Sequence, residues 1–138
     1  MKEKILETVA EKIEAYGLRK FTVDEIANEL KISKKTIYKH FASKNIMIQE
    51  YFEAVIQSDK ENTLKATEMD CSLIDKLSAV VYTYHKYKLP VRILNETYIF
   101  FPNEWKKIEE LKKFKLSILE NILNEGIDKG IIQSDIHL

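Results

Sequence analysis

The chain has 138 residues, 45% hydrophobic and 32% charged, which suits one ordinary domain or two small helical subdomains, and its formal net charge of zero hides an uneven distribution of charge. No run of roughly 18 apolar residues occurs and the N-terminal segment is charged and periodic, so nothing argues for membrane insertion or export, and we expect a cytoplasmic protein with no membrane partner. A single cysteine excludes an intrachain disulfide and a cysteine-based zinc site, while three glycines and two prolines favour an all-α fold.

Three short helices are predicted first. Apolar residues at helical spacing predict a helix over residues 3–16, with Gly17 as the residue that ends it in a left-handed conformation. Thr22 stands three residues before a glutamate, the spacing of a capping box, and predicts the start of a second helix, VDEIANEL. After the connection KI, Ser33 is a favourable N-cap for a third helix that ends near His40. Helices this short need other helices as a platform.

Four further helices are predicted to follow. Ser43 is the expected N-cap of a long fourth helix, whose polar second half, residues 59–67, indicates a bridge to the rest of the chain. A fifth helix ends before Pro90, and a short sixth helix is VRILNETYIFF. The seventh runs from about residue 103 to residue 129, with Gly130 as its C-terminal cap.

The seventh helix carries apolar residues on two faces. One face is enough for packing against the fifth and sixth helices, so the second requires another partner. We expect it to be a dimer or helix-packing face. Its residues are Leu116, Leu119, Leu123 and Ile127.

Residues 33–44, SKKTIYKHFASK, contain four lysines and no acid. A capped short helix, a tight turn and a basic second helix form the helix-turn-helix arrangement, in which the second helix enters the major groove of DNA. Ile37 and Phe41 are four residues apart and should face the core, which leaves the lysines and Tyr38 outside. From charge alone, a solvated helix face is the more common explanation of such a run.

A longer stretch, FTVDEIANELKISKKTIYKHFASKNIMIQEYFEAV, preceded by a helix ending in YG, resembles the N-terminal DNA-binding domain of the TetR (tetracycline repressor) family of transcriptional regulators. The family pattern is a Thr-capped helix with a small central residue, a short turn, an aromatic-x-His/Tyr-Phe sequence and a lysine opening the next helix. The resemblance covers about residues 3–56. The positions that match the pattern are Thr22, Ala27, Tyr38, His40, Phe41 and Lys44.

The resemblance implies a helix-turn-helix DNA-binding domain over residues 1–45 and a helical ligand-binding and dimerisation domain over residues 46–138. The protein is then expected to be a ligand-responsive repressor that binds a palindromic DNA operator as a homodimer. Where the family often has glycine in the turn, this chain has Lys31, which is expected to be left-handed at a cost of roughly 1 kcal/mol. The residues that the resemblance places at DNA are Thr22, Ser33, Lys34, Lys35, Thr36, Tyr38, Lys39, His40 and Lys44.

The resemblance also implies a pocket for a small-molecule effector among the C-terminal helices. Two aromatic-rich segments offer a lining, although aromatic residues at helical spacing are more often core residues. The effector cannot be named from the sequence. The candidate lining residues are Tyr82, Tyr84, His85, Tyr98, Phe101 and Trp105.

Members of the family usually continue beyond the seventh helix with two more helices that form the dimer interface. Here only QSDIHL follows EGIDKGII. Either this is a short form that dimerises through another surface, or the chain lacks part of the native protein. The second apolar face of the seventh helix is what either case predicts.

Two other classes of function agree less well with the sequence. A protein-interaction module built on a helix-turn-helix scaffold would show weak, salt-insensitive DNA binding, and the acid-free segment argues against it. An enzyme is not expected, because no Ser/His/Asp or Cys/His set and no glycine-rich phosphate loop is present. The three histidines are far apart without metal-like spacing, so neither a metal site nor a cofactor is expected.

Overall fold

The computed structural model describes residues 1–81 and 89–131 of the chain. Within these ranges it contains seven α-helices and no strand, as the all-α prediction required. None of these helices combines the length and apolarity that crossing a membrane demands. The helices are α1 (Lys2–Tyr16), α2 (Val23–Leu30), α3 (Lys34–His40), α4 (Lys44–Thr67), α5 (Leu73–Val81), α6 (Val91–Phe100) and α7 (Pro102–Asp128).

The predicted N-caps determine where three helices begin. The Thr22 hydroxyl oxygen accepts a hydrogen bond from the backbone N–H of the third residue after it at 3.2 Å, and so α2 starts at Val23. Ser33 caps α3 in the same way at 3.1 Å, and Ser43 caps α4 at 3.2 Å. The predicted continuation of the fifth helix toward Pro90 falls on residues 82–88, outside the described residues.

Contacts divide the chain into two compact units. One contains residues 1–55 with the described part of residues 87–106, and the other contains the described parts of residues 56–86 and 107–138. The first unit therefore includes α6 as well as the three N-terminal helices and the start of α4. The division of the chain into domains at residue 45 stays a prediction.

The core of the first unit is formed by the apolar faces of α1, α2 and α3 with the first part of α4. Ile37 and Phe41, expected to face inward, are 0% and 1% exposed. Burying two such side chains contributes about 3–6 kcal/mol, enough to hold a helix of seven residues that would not form alone. Other fully buried residues of this core are Ile5, Val9, Ile13, Leu18, Phe21, Ile26, Met47, Tyr51 and Phe52.

Helix α6 contacts the C-terminal end of α1 through Arg92. Its guanidinium group donates hydrogen bonds to the backbone carbonyls of Glu14 and Ala15, which the last turn of α1 leaves without a partner in the helix. A cation at this end also complements the helix dipole. The contact fixes α6 to α1 within the first unit.

Glu96 of α6 holds the connection between α1 and α2. Its carboxylate accepts a hydrogen bond from the backbone N–H of Leu18 and lies 3.5 Å from the guanidinium of Arg19. Gly17 has φ 93° and ψ 174°, so its positive φ was predicted correctly, but its ψ is not that of a left-handed helical residue. A Cβ at this position would lie 3.0 Å from the Glu96 carboxylate, so another residue would be strained by the positive φ and would also crowd this carboxylate.

The second unit has its own small core. It is centred on Ala66, Val80 and Ile122, which are 6%, 0% and 6% exposed. Leu119 packs partly against this cluster, so the two apolar faces of α7 are not fully separate. The other partly buried residues around it are Leu73, Leu77, Ala79 and Ile118.

Helix α4 continues from the first unit into the second, as predicted for a bridging segment, and one side of its polar second half is buried. Asp59 is 6% exposed and Thr63 0% exposed. The Asp59 carboxylate lies 3.0 Å from the Lys115 ammonium of α7 and also accepts a hydrogen bond from the Thr63 hydroxyl at 3.2 Å. Asp59 in this part of α4 therefore forms a largely buried ion pair with α7, which the sequence pattern did not predict.

We expect Lys115→Met to lower the free energy of unfolding by about 1–3 kcal/mol, because it leaves the buried Asp59 carboxylate without its cation. Urea denaturation followed by circular dichroism measures the change. Lys113→Met is the matched control: Lys113 is exposed on α7 and has no ion-pair partner within the described ranges, so its replacement should change stability by less than about 0.5 kcal/mol. Equal effects of the two substitutions would contradict a stabilising role for the pair.

Candidate nucleic-acid interface

Helix α3 presents one apolar and one polar face. Ile37 and the following Phe41 are buried, whereas Lys35, Tyr38 and Lys39 are exposed, with Tyr38 46% exposed. Lys35 and Lys39 have no ion-pair partner among the residues that the structure describes. A helix with exposed cations and a phenol can reach phosphate oxygens and base edges in a major groove.

The turn between α2 and α3 is made by Lys31. It has φ 56° and ψ 43°, which confirms the predicted left-handed conformation, and its backbone N–H donates to the carbonyl of Ala27. Across residues 1–81 and 89–131 it is the one non-glycine residue with positive φ. The turn is therefore held by a backbone hydrogen bond at a conformational cost of roughly 1 kcal/mol.

Lys34 is paired with an acid that the local sequence pattern did not reveal. Its ammonium lies 2.8 Å from the carboxylate of Asp24, in the first turn of α2, and both side chains are more than half exposed. The hydrogen bond to Asp24 and its charge raise the pKa of Lys34 above the usual value. The segment of residues 33–44 lacks acids in sequence, but folding brings one beside its first lysine.

Lys44, the first residue of α4, makes contacts inside the domain. Its ammonium donates to the backbone carbonyl of Arg19 at 2.9 Å and lies 4.4 Å from the ring centre of Phe21. Partial burial lowers the pKa of the Lys44 amine. The Arg19 carbonyl and the Phe21 ring nevertheless stabilise the protonated form of this amine. Its contacts fix the start of α4 against the connection between α1 and α2.

The hydroxyl groups expected at DNA act as helix caps. The Ser33 hydroxyl oxygen accepts from the backbone N–H of Thr36 and is 3.0 Å from the Thr36 hydroxyl, while Thr22 caps α2. A capping hydroxyl accepts through its oxygen and can donate its own hydrogen elsewhere, but the bond between Ser33 and Thr36 uses one of the two hydroxyl hydrogens of that pair. Thr22 and Ser33 are exposed, whereas Thr36 and His40 are partly buried.

The fold and the matching residues are shared with known regulators. Residues 5–51 match the model of the tetR family of bacterial regulatory proteins. This match covers the N-terminal helices, which are the part of the chain that is similar to the tetR family.

Three similar proteins illustrate the extent of the likeness. YhgD, an uncharacterized HTH-type transcriptional regulator of Bacillus subtilis strain 168, is 22% identical over 137 residues, which cover 96% of this chain and 72% of YhgD. The ketosteroid transcriptional regulator KstR2 of Mycobacterium tuberculosis has a TM-score of 0.73 at 21% identity, covering 99% of this chain and 72% of KstR2. PfmR, a TetR family regulator from Thermus thermophilus, has a TM-score of 0.69 at 23% identity, covering 96% and 75%. Because the two solved structures are only 21% and 23% identical to this chain, their likeness shows a shared fold alone.

Three of the six residues predicted to line an effector pocket lie outside the described residues. Tyr82, Tyr84 and His85 fall among residues 82–88. Tyr98 is 65% exposed and makes an edge-to-face contact with Trp105, with ring centres 5.2 Å apart.

Phe101 lines a cavity of about 290 Å³ in the first unit. That cavity lies between the first turns of α4 and the junction of α6 with α7, and it was not anticipated from the sequence. Its wall is formed by Asn45, Ile48, Gln49, Phe100, Phe101, Pro102, Asn103 and Glu104.

The predicted second face of α7 is only partly covered. Leu116 is 49% exposed, while Leu119, Leu123 and Ile127 are partly buried. The first face of the helix is the buried one, with Ile108 at 3% and Ile122 at 6%. The use of the second face in a dimer stays a prediction.

In the described part of the chain, no three His, Cys, Asp or Glu residues are grouped as metal ligands would be.

We expect Asp24→Asn to tighten DNA binding by about 2–10-fold at low salt, because it removes a carboxylate that neutralises Lys34 and repels phosphate. The gain should shrink as salt rises, since both charges are exposed. Fluorescence anisotropy with a site selected from random DNA measures it.

Glu11→Gln is the matched control, because Glu11 is exposed on α1 and its replacement makes the same change in net charge. Asn at position 24 also removes an acid from the first turn of α2, so a small loss of thermal stability is expected. If both variants bound as the parent does at every salt concentration, Asp24 would have no influence on the interface.

Proposed function

We propose that this chain is a ligand-responsive repressor of the cytoplasm that binds a palindromic operator as a homodimer, with α3 of each copy in the major groove. The observation that carries the proposal is the exposed face of α3, where Lys35, Tyr38 and Lys39 project from a helix anchored by Ile37. The match of residues 5–51 to the tetR family supports the same placement.

The proposed roles follow from the chemistry of each side chain. Lys35 and Lys39 bind phosphates or guanine, and Tyr38 donates a hydrogen bond to a phosphate oxygen. Thr22 donates its hydroxyl hydrogen, the Ser33–Thr36 pair donates the one hydroxyl hydrogen that is not used between them, and His40 contributes at the edge of the same face. Lys34 also binds a phosphate, after its ammonium has left the Asp24 carboxylate. Lys44 fixes the start of α4 and adds positive potential near the DNA.

A dimer is required because a single recognition helix contacts too few bases to define a site. Two helices one DNA turn apart read the two halves of a palindrome. The partly exposed second face of α7, with Leu116 at 49% exposure, supplies apolar area for the contact between copies.

The proposed response to an effector is a shift between two spacings of the recognition helices. Helix α4 supports this, because it begins shortly after α3 ends and continues without a break to Thr67. A displacement of α4 would therefore be transmitted directly to the residues that follow α3.

We expect Tyr38→Ala to weaken operator binding by about 10–100-fold without unfolding the protein, because Tyr38 is exposed and its loss opens no cavity. Tyr16→Ala is the matched control, since Tyr16 is a tyrosine of similar exposure, 53%, at the end of α1. Anisotropy titrations at two salt concentrations measure binding, and circular dichroism checks the fold. Unchanged affinity for the Tyr38 variant would refute the placement of α3, and weak, salt-insensitive binding by the parent would favour a protein-interaction module.

We expect Leu116→Lys to raise the dimer dissociation constant by about tenfold or more, since it places a charge in the proposed apolar contact. Ser117→Lys, a change at the neighbouring exposed position, should have a smaller effect. Sedimentation velocity over a range of concentrations measures both. Two variants with the same dissociation constant as the parent would show that copies associate elsewhere.

A further inference from the structure

The cavity at the junction of α6 with α7 contains a buried carboxylate. Glu104 is only 7% exposed, yet it lines this space of about 290 Å³. Its carboxylate has no hydrogen-bond or ion-pair partner among residues 1–81 and 89–131. A buried carboxylate without a partner is costly, and buried charges in proteins are normally paired.

The rest of the wall indicates what a partner would be. Three amide side chains, those of Asn45, Gln49 and Asn103, line the same cavity and can accept hydrogen bonds through their oxygens. The apolar part of the wall comes from Ile48, Pro102 and two phenylalanines. One carboxylate, three amides and an apolar wall suit a cation that donates hydrogen bonds and carries a hydrocarbon group.

A metal ion fits this wall less well than an organic cation. Calcium prefers six to eight oxygen ligands, usually with several carboxylates, and this cavity has a single carboxylate. An aromatic wall adds cation–π attraction only for a cation that lies against a ring. The ring of Phe100 already carries the Arg19 guanidinium at 3.6 Å, so Phe101 is the ring left for an occupant.

We propose that this cavity is a binding site for a small organic ammonium ion, held by Glu104, and that it is the effector site of the chain. The proposal of an effector site rests on the proposed ligand-responsive repressor. The cavity wall includes Asn45, the residue after Lys44, and Lys44 fixes the start of α4 to the carbonyl of Arg19. An occupant therefore touches the first turn of α4 beside the contact that positions α4 in the DNA-binding domain.

The test uses phenethylammonium, methylammonium and tetramethylammonium as cationic probes, with phenethyl alcohol and calcium chloride as neutral and metal controls. Isothermal titration calorimetry measures binding, and the fluorescence of Trp105, the single tryptophan, gives a second signal from the residue next to Glu104. Binding is expected for at least one ammonium ion, at least about tenfold tighter than for the alcohol.

Glu104→Gln keeps the shape of the side chain and removes its charge. It should weaken ammonium binding by about tenfold or more. Glu109→Gln is the matched control, an exposed glutamate on the same helix, and should bind as the parent does. Asn103→Ala offers a second variant if the first does not fold, with a several-fold loss of binding expected.

Three results would overturn the inference: no binding by any ammonium probe, equal binding of the Glu104 and Glu109 variants, or tighter binding of calcium than of every ammonium ion. Anisotropy with the operator separates this inference from the proposed function. A parent protein that binds the operator but no ammonium ion refutes only the site, and one that binds ammonium without any change in operator affinity refutes its role as the effector site. A parent that binds ammonium but no operator refutes the proposed function instead.

Discussion

The burial of Ile37 and Phe41 is the contact on which the DNA-binding surface depends. Helix α3 has seven residues and would not be stable in isolation, so its direction is set by the two side chains that it inserts into the core. Their spacing of four residues turns the intervening Tyr38 and Lys39 outward. The recognition surface is thus a consequence of core packing on the opposite face of the same helix.

The contacts around this core determine where α3 begins and what surrounds it. Caps by Thr22 and Ser33 define where α2 and α3 begin, and the left-handed Lys31 turns the chain between the two helices. Lys44 and Glu96 then fix the α1–α2 connection from two directions, one from α4 and one from α6. The DNA-binding unit therefore includes residues well beyond the helix-turn-helix motif in sequence.

Tertiary contacts, more than composition, determine which charged side chains of this protein are paired and which are buried. Asp24 neutralises part of the basic segment, and the buried Asp59 is paired with a lysine 56 residues away. Glu104 differs from both, because its carboxylate lines a cavity and finds no partner in the described ranges. The net charge of zero is thus the sum of charges in three different environments. These are the exposed basic face of α3, the ion pair of Asp59 with Lys115, and the Glu104 carboxylate that lines the cavity.

The sequence alone determined the helices, the N-caps at Thr22, Ser33 and Ser43, and the inward residues of α3, while the left-handed turn at Lys31 was expected from the family resemblance. These features depend on helical periodicity and on hydrogen bonds between residues within a few positions of each other, which a linear pattern contains. The pairing of Asp24 with Lys34, the burial of Asp59 and the cavity at Glu104 were missed, because each depends on which distant helix packs beside the residue. Only the tertiary structure decided those environments, since burial and ion pairing are properties of packed neighbours and not of local sequence.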